Sequence, residues 1–277
     1  MKKSYLDNFF IEGKLVVITG AAGLLGRMHA YAVIEAKGIP VLLDINEEQM
    51  AELNTSINEK YPDARVYSYV ADITKKETIE AVLADIVSRG EKVYGLINNA
   101  ACNPDMKNVK DGVGRLEEYD LDIWNMEIAV GLTGAFICSQ VFGSHMAENN
   151  QGVIINISSD LGVIAPTQYL YEIAGADECE QPKKPVTYSI IKTGLIGLTR
   201  YLATYWADKN VRSNALAFGG VFNNQNPDFL DKLLKHIPLG RMADKDEYVN
   251  TIIYVLSDAS KYMNGAVVLI DGGRTAW

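Results

Sequence analysis

The chain is poor in cysteine, histidine and proline: 277 residues carry three Cys, three His and eight Pro. Cys102, Cys138 and Cys179 are odd in number and far apart, with no C-x-x-C pair. That excludes a disulfide framework or zinc ribbon and predicts reduced thiols. His29, His145 and His236 are too scattered to suggest a ligand set, so no metal site is expected. Positive charge is also short, with 26 Lys and Arg against 35 Asp and Glu, a net charge of −9. Phosphates would be repelled over most of such a surface, which disfavours nucleic acid and anionic membrane as partners. No uninterrupted apolar run approaches the length of a membrane helix, and the first residues, Met1 to Asn8, lack the apolar core of a signal peptide. The expectation is a cytoplasmic protein acting on a small molecule. No repeat, Ser/Gly linker or charge block divides the sequence, so residues 1–277 read as one domain.

What the sequence does hold is a core: 48% of residues are hydrophobic and 22% charged. Seven short β-branched or apolar runs predict strands at Leu15–Thr19, Val41–Asp44, Val66–Ala71, Val93–Asn98, Gly152–Ile157, Val211–Ala217 and Ala266–Ile270. Between them, helical spacing marks Arg27–Lys37, Glu47–Lys60, Lys75–Arg89, Tyr119–Ala147, Thr187–Asp208 and Lys245–Ser257. Alternating strand and helix, with strands apolar on both faces, predicts an α/β doubly wound parallel sheet. Such folds bind ligands at the carboxyl ends of their strands.

The first strand runs into Thr19-Gly20-Ala21-Ala22-Gly23-Leu24-Leu25-Gly26 and then a helix. Glycines at such a turn let the backbone approach a pyrophosphate, whose charge the helix N-terminus stabilises. A second strand ends in Asp44, 18 residues beyond Gly26. A carboxylate there accepts hydrogen bonds from the adenosine ribose hydroxyls and repels a 2′-phosphate, which favours NAD over NADP. Arg27 argues the other way, but it follows the last glycine and is expected to point along the helix. Further on, Tyr188 and Lys192 lie four apart on a predicted helix, where an ammonium can stabilise a phenolate and make the tyrosine an acid or base.

These features occur with Asp72 after the third strand, Asn98-Asn99-Ala100-Ala101 after the fourth, Ser158-Ser159 after the fifth and Asp271-Gly272-Gly273 near the end. From about Gly13 to Gly273 the chain resembles the short-chain dehydrogenase/reductase family, short branch. The resemblance implies a Rossmann-type seven-stranded sheet, a nicotinamide cofactor, which Asp44 makes NAD, and hydride transfer between the nicotinamide and a carbinol or carbonyl carbon. It implies Tyr188 as general acid/base, Lys192 on the nicotinamide ribose, and Ser159, preferred to Ser158, on the reacting oxygen. Gly20, Gly23, Leu25 and Gly26 would form the cofactor turn, with Asp44 and Ile45 at the ribose. Asp72 and Ile73 would flank the adenine, and Asn99, Ala100 and Ala101 the cofactor's centre. Gly219, Val221 and Asn223 would lie at the nicotinamide.

The chain departs from the family pattern in several places. Its G-x-x-G-x-x-G spacing resembles the extended branch, a nucleotide-sugar epimerase or dehydratase, although too few residues follow the sixth strand for that branch's substrate domain. Gly131 stands where a fourth-helix asparagine commonly completes a proton relay, so the relay is expected to run through water or another side chain. That loss also leaves open a non-catalytic dinucleotide-binding regulator. Phe218 replaces a proline. Ser159 and Tyr188 are 29 positions apart, about twice the usual separation, through an insertion near 166–185. It reads equally as a specificity lid for a hydroxyl-rich substrate or as a surface or oligomer segment. The turn and the insertion are similar to members attached to flagellin and surface-sugar modification, which points to a sugar or sugar derivative. Apolar residues between Tyr188 and Trp206 exceed what one sheet face needs and predict a homo-oligomer, a tetramer or a dimer.

Overall fold

A computed structural model of the chain describes residues 4–102 and 114–277. Seven parallel strands form one sheet in the order β3-β2-β1-β4-β5-β6-β7. They are β1 (Leu15–Thr19), β2 (Ile39–Asp44), β3 (Tyr67–Val70), β4 (Val93–Asn98), β5 (Gly152–Ser159), β6 (Val211–Phe218) and β7 (Val267–Ile270). The central strands are buried on both faces. In β1, Val16 and Ile18 pack toward one helical layer and Leu15 and Val17 toward the other, the alternation that a pleated strand imposes. The edge strands differ from the expectation of uniform apolarity: β3 alternates half-buried and exposed residues, and Leu269 of β7 is exposed. An edge strand has a partner on one side only, and β3 is shorter at both ends than the predicted Val66–Ala71.

One layer contains α1 (Leu24–Glu35), α2 (Glu47–Lys60) and α8 (Val249–Leu256); the other contains α3 (Lys76–Ser88), α5 (Gly134–Glu148) and α6 (Val186–Tyr205). Two predicted helices change form. The stretch 119–147 becomes α4 (Leu121–Ile128), a single π turn over Ala129–Thr133, and α5. Together, Leu121–Glu148 is the one helix among the described residues long and apolar enough to cross a membrane, and more than half of its most apolar window is buried inside the fold. The second helix, predicted from Lys245, starts only at Val249, after a turn built by the Arg241–Glu247 pair. α7 (Pro227–Leu234) was not expected from periodicity. Its signal is local: Asn226 caps it by accepting from the Asp228 amide, and Pro227 occupies the first turn.

Buried amides tie strands to helices. Asn98 Nδ2 donates to Asn156 Oδ1 at 2.8 Å and to Ser139 Oγ at 3.0 Å, and Asn156 Nδ2 donates to Thr199 Oγ1 at 2.8 Å. A shifted register would strand these groups without partners. His29 on α1 is less well served, because it is fully buried and neither ring nitrogen reaches a partner in bonding geometry. Burial drives its pKa from 6.5 to about 4, a shift that nearby Asn99 only partly opposes. Between those values the unfolded chain binds a proton that the folded protein refuses, so stability falls as pH falls through that window. Urea unfolding should show the natural protein losing about 2 kcal/mol more than His29→Leu between pH 7 and pH 5. Equal losses would show that His29 is not held neutral.

Candidate active site

The glycine turn is built so that only glycine fits. Gly20 has φ +62°, and a Cβ on it would lie 2.8 Å from the Ala100 Cα; one on Gly26 would lie 2.1 Å from the Gly20 carbonyl oxygen. Gly23 begins α1, and no side chain caps that end, leaving first-turn amides free to meet phosphate. Leu25 packs partly buried against the core below. Asp44 closes the turn from β2: its Oδ2 accepts from the Ala22 amide at 2.9 Å and its Oδ1 from the Asn46 amide at 3.0 Å. Asn46, not Asp44, caps α2. Ile45 beside it is exposed. Arg27 does not run along its helix as expected. It turns back, donating from Nε to the Ala22 carbonyl at 2.8 Å and pairing with Glu52 at 3.2 Å.

Thr19 is a turn residue that motif reading missed. Its Oγ1 accepts from the amides of Asn99 and Ala100, both at 3.1 Å, while Asn99 Nδ2 donates back to the carbonyls of Thr19 and Gly20 at 3.0 Å. The ends of β1 and β4 are thereby locked side by side, with Ala101 beyond them at the rim. Asp72 is drawn into a local turn, its Oδ1 accepting from the Thr74 amide and hydroxyl, and Ile73 is buried against Gly134. At the end of β6, Gly219 approaches Asp271 so closely that a Cβ would sit 2.9 Å from its Cα. Phe218, in place of proline, stacks on Tyr248 at 3.9 Å. Val221 bridges to Ala243, and the Asn223 amide donates to Gln225 Oε1.

β5 and α6 bring Ser159, Tyr188 and Lys192 together. The two candidate serines divide: Ser158 Oγ is spent on the Lys192 carbonyl at 2.7 Å, whereas Ser159 Oγ donates to Asp160 Oδ1 at 2.6 Å and lies beside Tyr188. Lys192 is buried, donates to the Ile157 carbonyl at 2.8 Å, and stands 5.7 Å from the Tyr188 ring centroid. Burial and then the charge of Lys184 bring its pKa down to about 8. Sequence spacing suggested a lysine that lowers the tyrosine pKa. Here burial dominates and holds Tyr188 above its ordinary value, with Ser159 and Arg274 pulling down and Asp160 pushing up. Gly131 lies in the π turn against α6, where a Cβ would meet Ile191 Cγ2 at 2.7 Å, so Ile191 fills the room an asparagine side chain would need.

The insertion is a docked structure. Leu170 is buried with Leu233, Ile237 and Met242, Tyr171 packs on Phe229 of α7, and Lys232 donates to the Glu172 carbonyl. Gln168 Oε1 accepts from the Lys184 amide at 2.9 Å and pins the far end. This places the Lys184 ammonium 3.9 Å from the Tyr188 ring centroid, at a cavity of about 10 Å³ shared with Glu127, Thr187 and Cys102. That volume suits one water. Glu127 is buried and accepts from Tyr119 Oη at 2.7 Å and from the Thr187 hydroxyl. Lys184 and Glu127 were not singled out in the sequence, since no spacing rule links them to Tyr188.

Comparison with known proteins decides the family. A family model described as enoyl-(acyl carrier protein) reductase matches residues 20–275. The chain is a short-chain dehydrogenase/reductase. It is 29% identical to post-translational flagellin modification protein A of Campylobacter coli over 265 residues, 95% of this chain and 98% of the other. It is 27% identical to galactitol 2-dehydrogenase of Rhizobium johnstonii over 280 residues, 99% and 100% of the two chains. A gluconate 5-dehydrogenase from Burkholderia cenocepacia, solved with NADP and tartrate, superposes with a TM-score of 0.84 at 26% identity, covering 99% of this chain and 100% of that one. The family binds a nicotinamide cofactor. The Gly20–Gly26 cradle, with no room for a Cβ at Gly20 or Gly26 and backed by an uncapped helix end, fits one.

Proposed function

We propose that the protein is an NAD-dependent dehydrogenase that exchanges hydride with a secondary alcohol, or its ketone, on a polyol or sugar derivative. The observation that carries this reading is the gathering of Ser159, Tyr188 and Lys192 where β5 meets α6, at the same carboxyl edge of the sheet as the Gly20–Gly26 cradle. A bound nicotinamide supplies the hydride exchange; the chain supplies the rest. Tyr188 moves the hydroxyl proton, Ser159 holds the reacting oxygen, and Lys192 binds ribose hydroxyls near the phenol. Similarity to galactitol and gluconate dehydrogenases supports a polyhydroxylated substrate. A screen of polyols and sugar acids followed by NADH absorbance tests the reading. Cofactor binding without turnover of any would favour the regulator alternative, for which the missing asparagine at Gly131 speaks.

The preference for NAD rests on Asp44 at the end of β2, whose carboxylate would accept from ribose hydroxyls and repel a 2′-phosphate, and on Arg27, whose guanidinium pairs with Glu52. Calorimetry should find NADH bound more tightly than NADPH, with the gap shrinking roughly tenfold in Asp44→Ala. Tighter NADPH binding by the natural protein would reverse the assignment. We also propose a homo-oligomer, a tetramer or a dimer, because α4 to α6 expose Met126, Phe136, Ile190, Tyr201 and Tyr205. Light scattering at micromolar concentration should show more than a monomer; a monomer alone would rule this out.

A further inference from the structure

Resting on the dehydrogenase reading above, we propose that Asp160 and Arg274 are positioning residues for Ser159 and Tyr188. Asp160 takes the hydrogen of the Ser159 hydroxyl, and Arg274, brought from the far end of the chain, keeps that carboxylate from standing as an uncompensated negative charge beside the phenol.

The geometry is continuous. β5 ends at Ser159, and the chain turns at once into a single 3-10 turn, Asp160–Gly162. The Asp160 carboxylate folds back, so that Oδ1 accepts from Ser159 Oγ at 2.6 Å and from the Leu161 amide at 2.8 Å. Oδ2 meets Arg274 Nη1 at 2.8 Å, and the two side chains are 3% and 9% exposed. Arg274 is itself held in place. Asp271 accepts from the Gly273 amide at 2.9 Å and from the Thr275 amide at 2.8 Å, and Gly273, at φ +89°, packs where a Cβ would lie 2.9 Å from Pro238 Cγ. A surface ion pair contributes little, but a buried one is coupled strongly to its neighbours, and removing one partner strands the other.

Two consequences follow for the reaction. First, Asp160 fixes the Ser159 hydroxyl, whose Oγ donates to Oδ1 and accepts from the Leu161 amide at 3.2 Å, so that its oxygen is held beside Tyr188. The pair also sets the charge felt by the phenol. The other groups around Tyr188 are Lys184 and Lys192 on its own side, Glu127 and Cys102 across the small cavity, Tyr171 from the insertion and Tyr248 ahead of α8. Neither of the two lysines forms an ion pair with Asp160 among the described residues; Lys184 feels that carboxylate at longer range, and the direct contact is with Arg274.

The test is titration of Tyr188 in the full chain by stopped-flow pH jump, reading phenolate ultraviolet absorbance and subtracting the same jump in a Tyr188→Phe background. Asp160→Asn keeps an acceptor for Ser159 but removes the charge, and should lower the Tyr188 midpoint by about 1 pH unit. Arg274→Met should raise it by a similar amount, and the double variant should return it to near the natural value. If Arg274→Met does not fold because it strands a carboxylate, Asp160→Asn and the double variant still decide. A purely structural pair would lower melting temperature without moving the midpoint. An unmoved or raised midpoint in folded Asp160→Asn, or a double variant displaced as far as that single one, overturns the proposal. No turnover is needed, so a failed dehydrogenase reading would appear separately, as an inactive polyol screen with these shifts intact.

Discussion

Tyr188→Phe should lower kcat/KM for alcohol oxidation by about 10³-fold, within the range that a positioned acid or base contributes, while leaving NADH affinity almost unchanged. The substitution removes one oxygen and keeps the ring, so the Lys184 ammonium retains its face contact and Lys192 its bond to the Ile157 carbonyl. The glycine cradle, Asp44 and Asn99 are untouched, which is why binding should survive. Because burial holds Tyr188 above its ordinary pKa, oxidation should also quicken as pH rises, the phenolate being the base. Lys192→Ala should damage both binding and turnover, since its ammonium stands near the phenol and the proposed ribose site. Tyr188→Phe with near-normal turnover would show that another group moves the proton, and Glu127, buried across the small cavity, would become the first residue to examine.

The architecture was legible because a parallel sheet writes itself locally. Each central strand buries both faces and so shows as a continuous apolar run, and β1 and β4 match their predicted bounds to the residue. Helix α2 does the same, since Asn46 caps it and its Leu53 and Ile57 repeat at helical spacing. Tyr188 and Lys192 were legible from their helical spacing, and Ser159 beside them from the resemblance. What stayed hidden depends on contacts between residues distant in the chain. Nothing near Ser159 announces that Arg274 reaches Asp160, 114 positions away. The choice between Ser158 and Ser159 is likewise a matter of which hydroxyl the α6 carbonyl consumes. Helix α7 was missed although its start is marked locally, by the Asn226 cap and by Pro227 in the first turn.

Replacing residues 166–185 with a short Gly/Ser connection should lower kcat/KM by about 10²-fold with little change in NADH affinity, the scale set by misplaced reacting groups and admitted water. The segment both delivers Lys184 to the Tyr188 ring and covers α7 through Leu170 and Tyr171. Its loss therefore takes an ammonium from the site and exposes the apolar face of Leu233 and Ile237. Those effects separate by substitution. Leu170→Ala removes a side chain only 2% exposed and should cost about 2–5 kcal/mol of stability while Gln168 still pins Lys184. Lys184→Met retains the packing and removes the charge, so it should reproduce most of the kinetic loss without the loss of stability. Circular dichroism and oligomer size must match the natural protein before kinetics are compared, because an interface role would also reduce activity. If the correctly assembled replacement keeps its kcat/KM, the segment is a surface addition, and the specificity of the site must come from the β4, α7 and C-terminal sides alone.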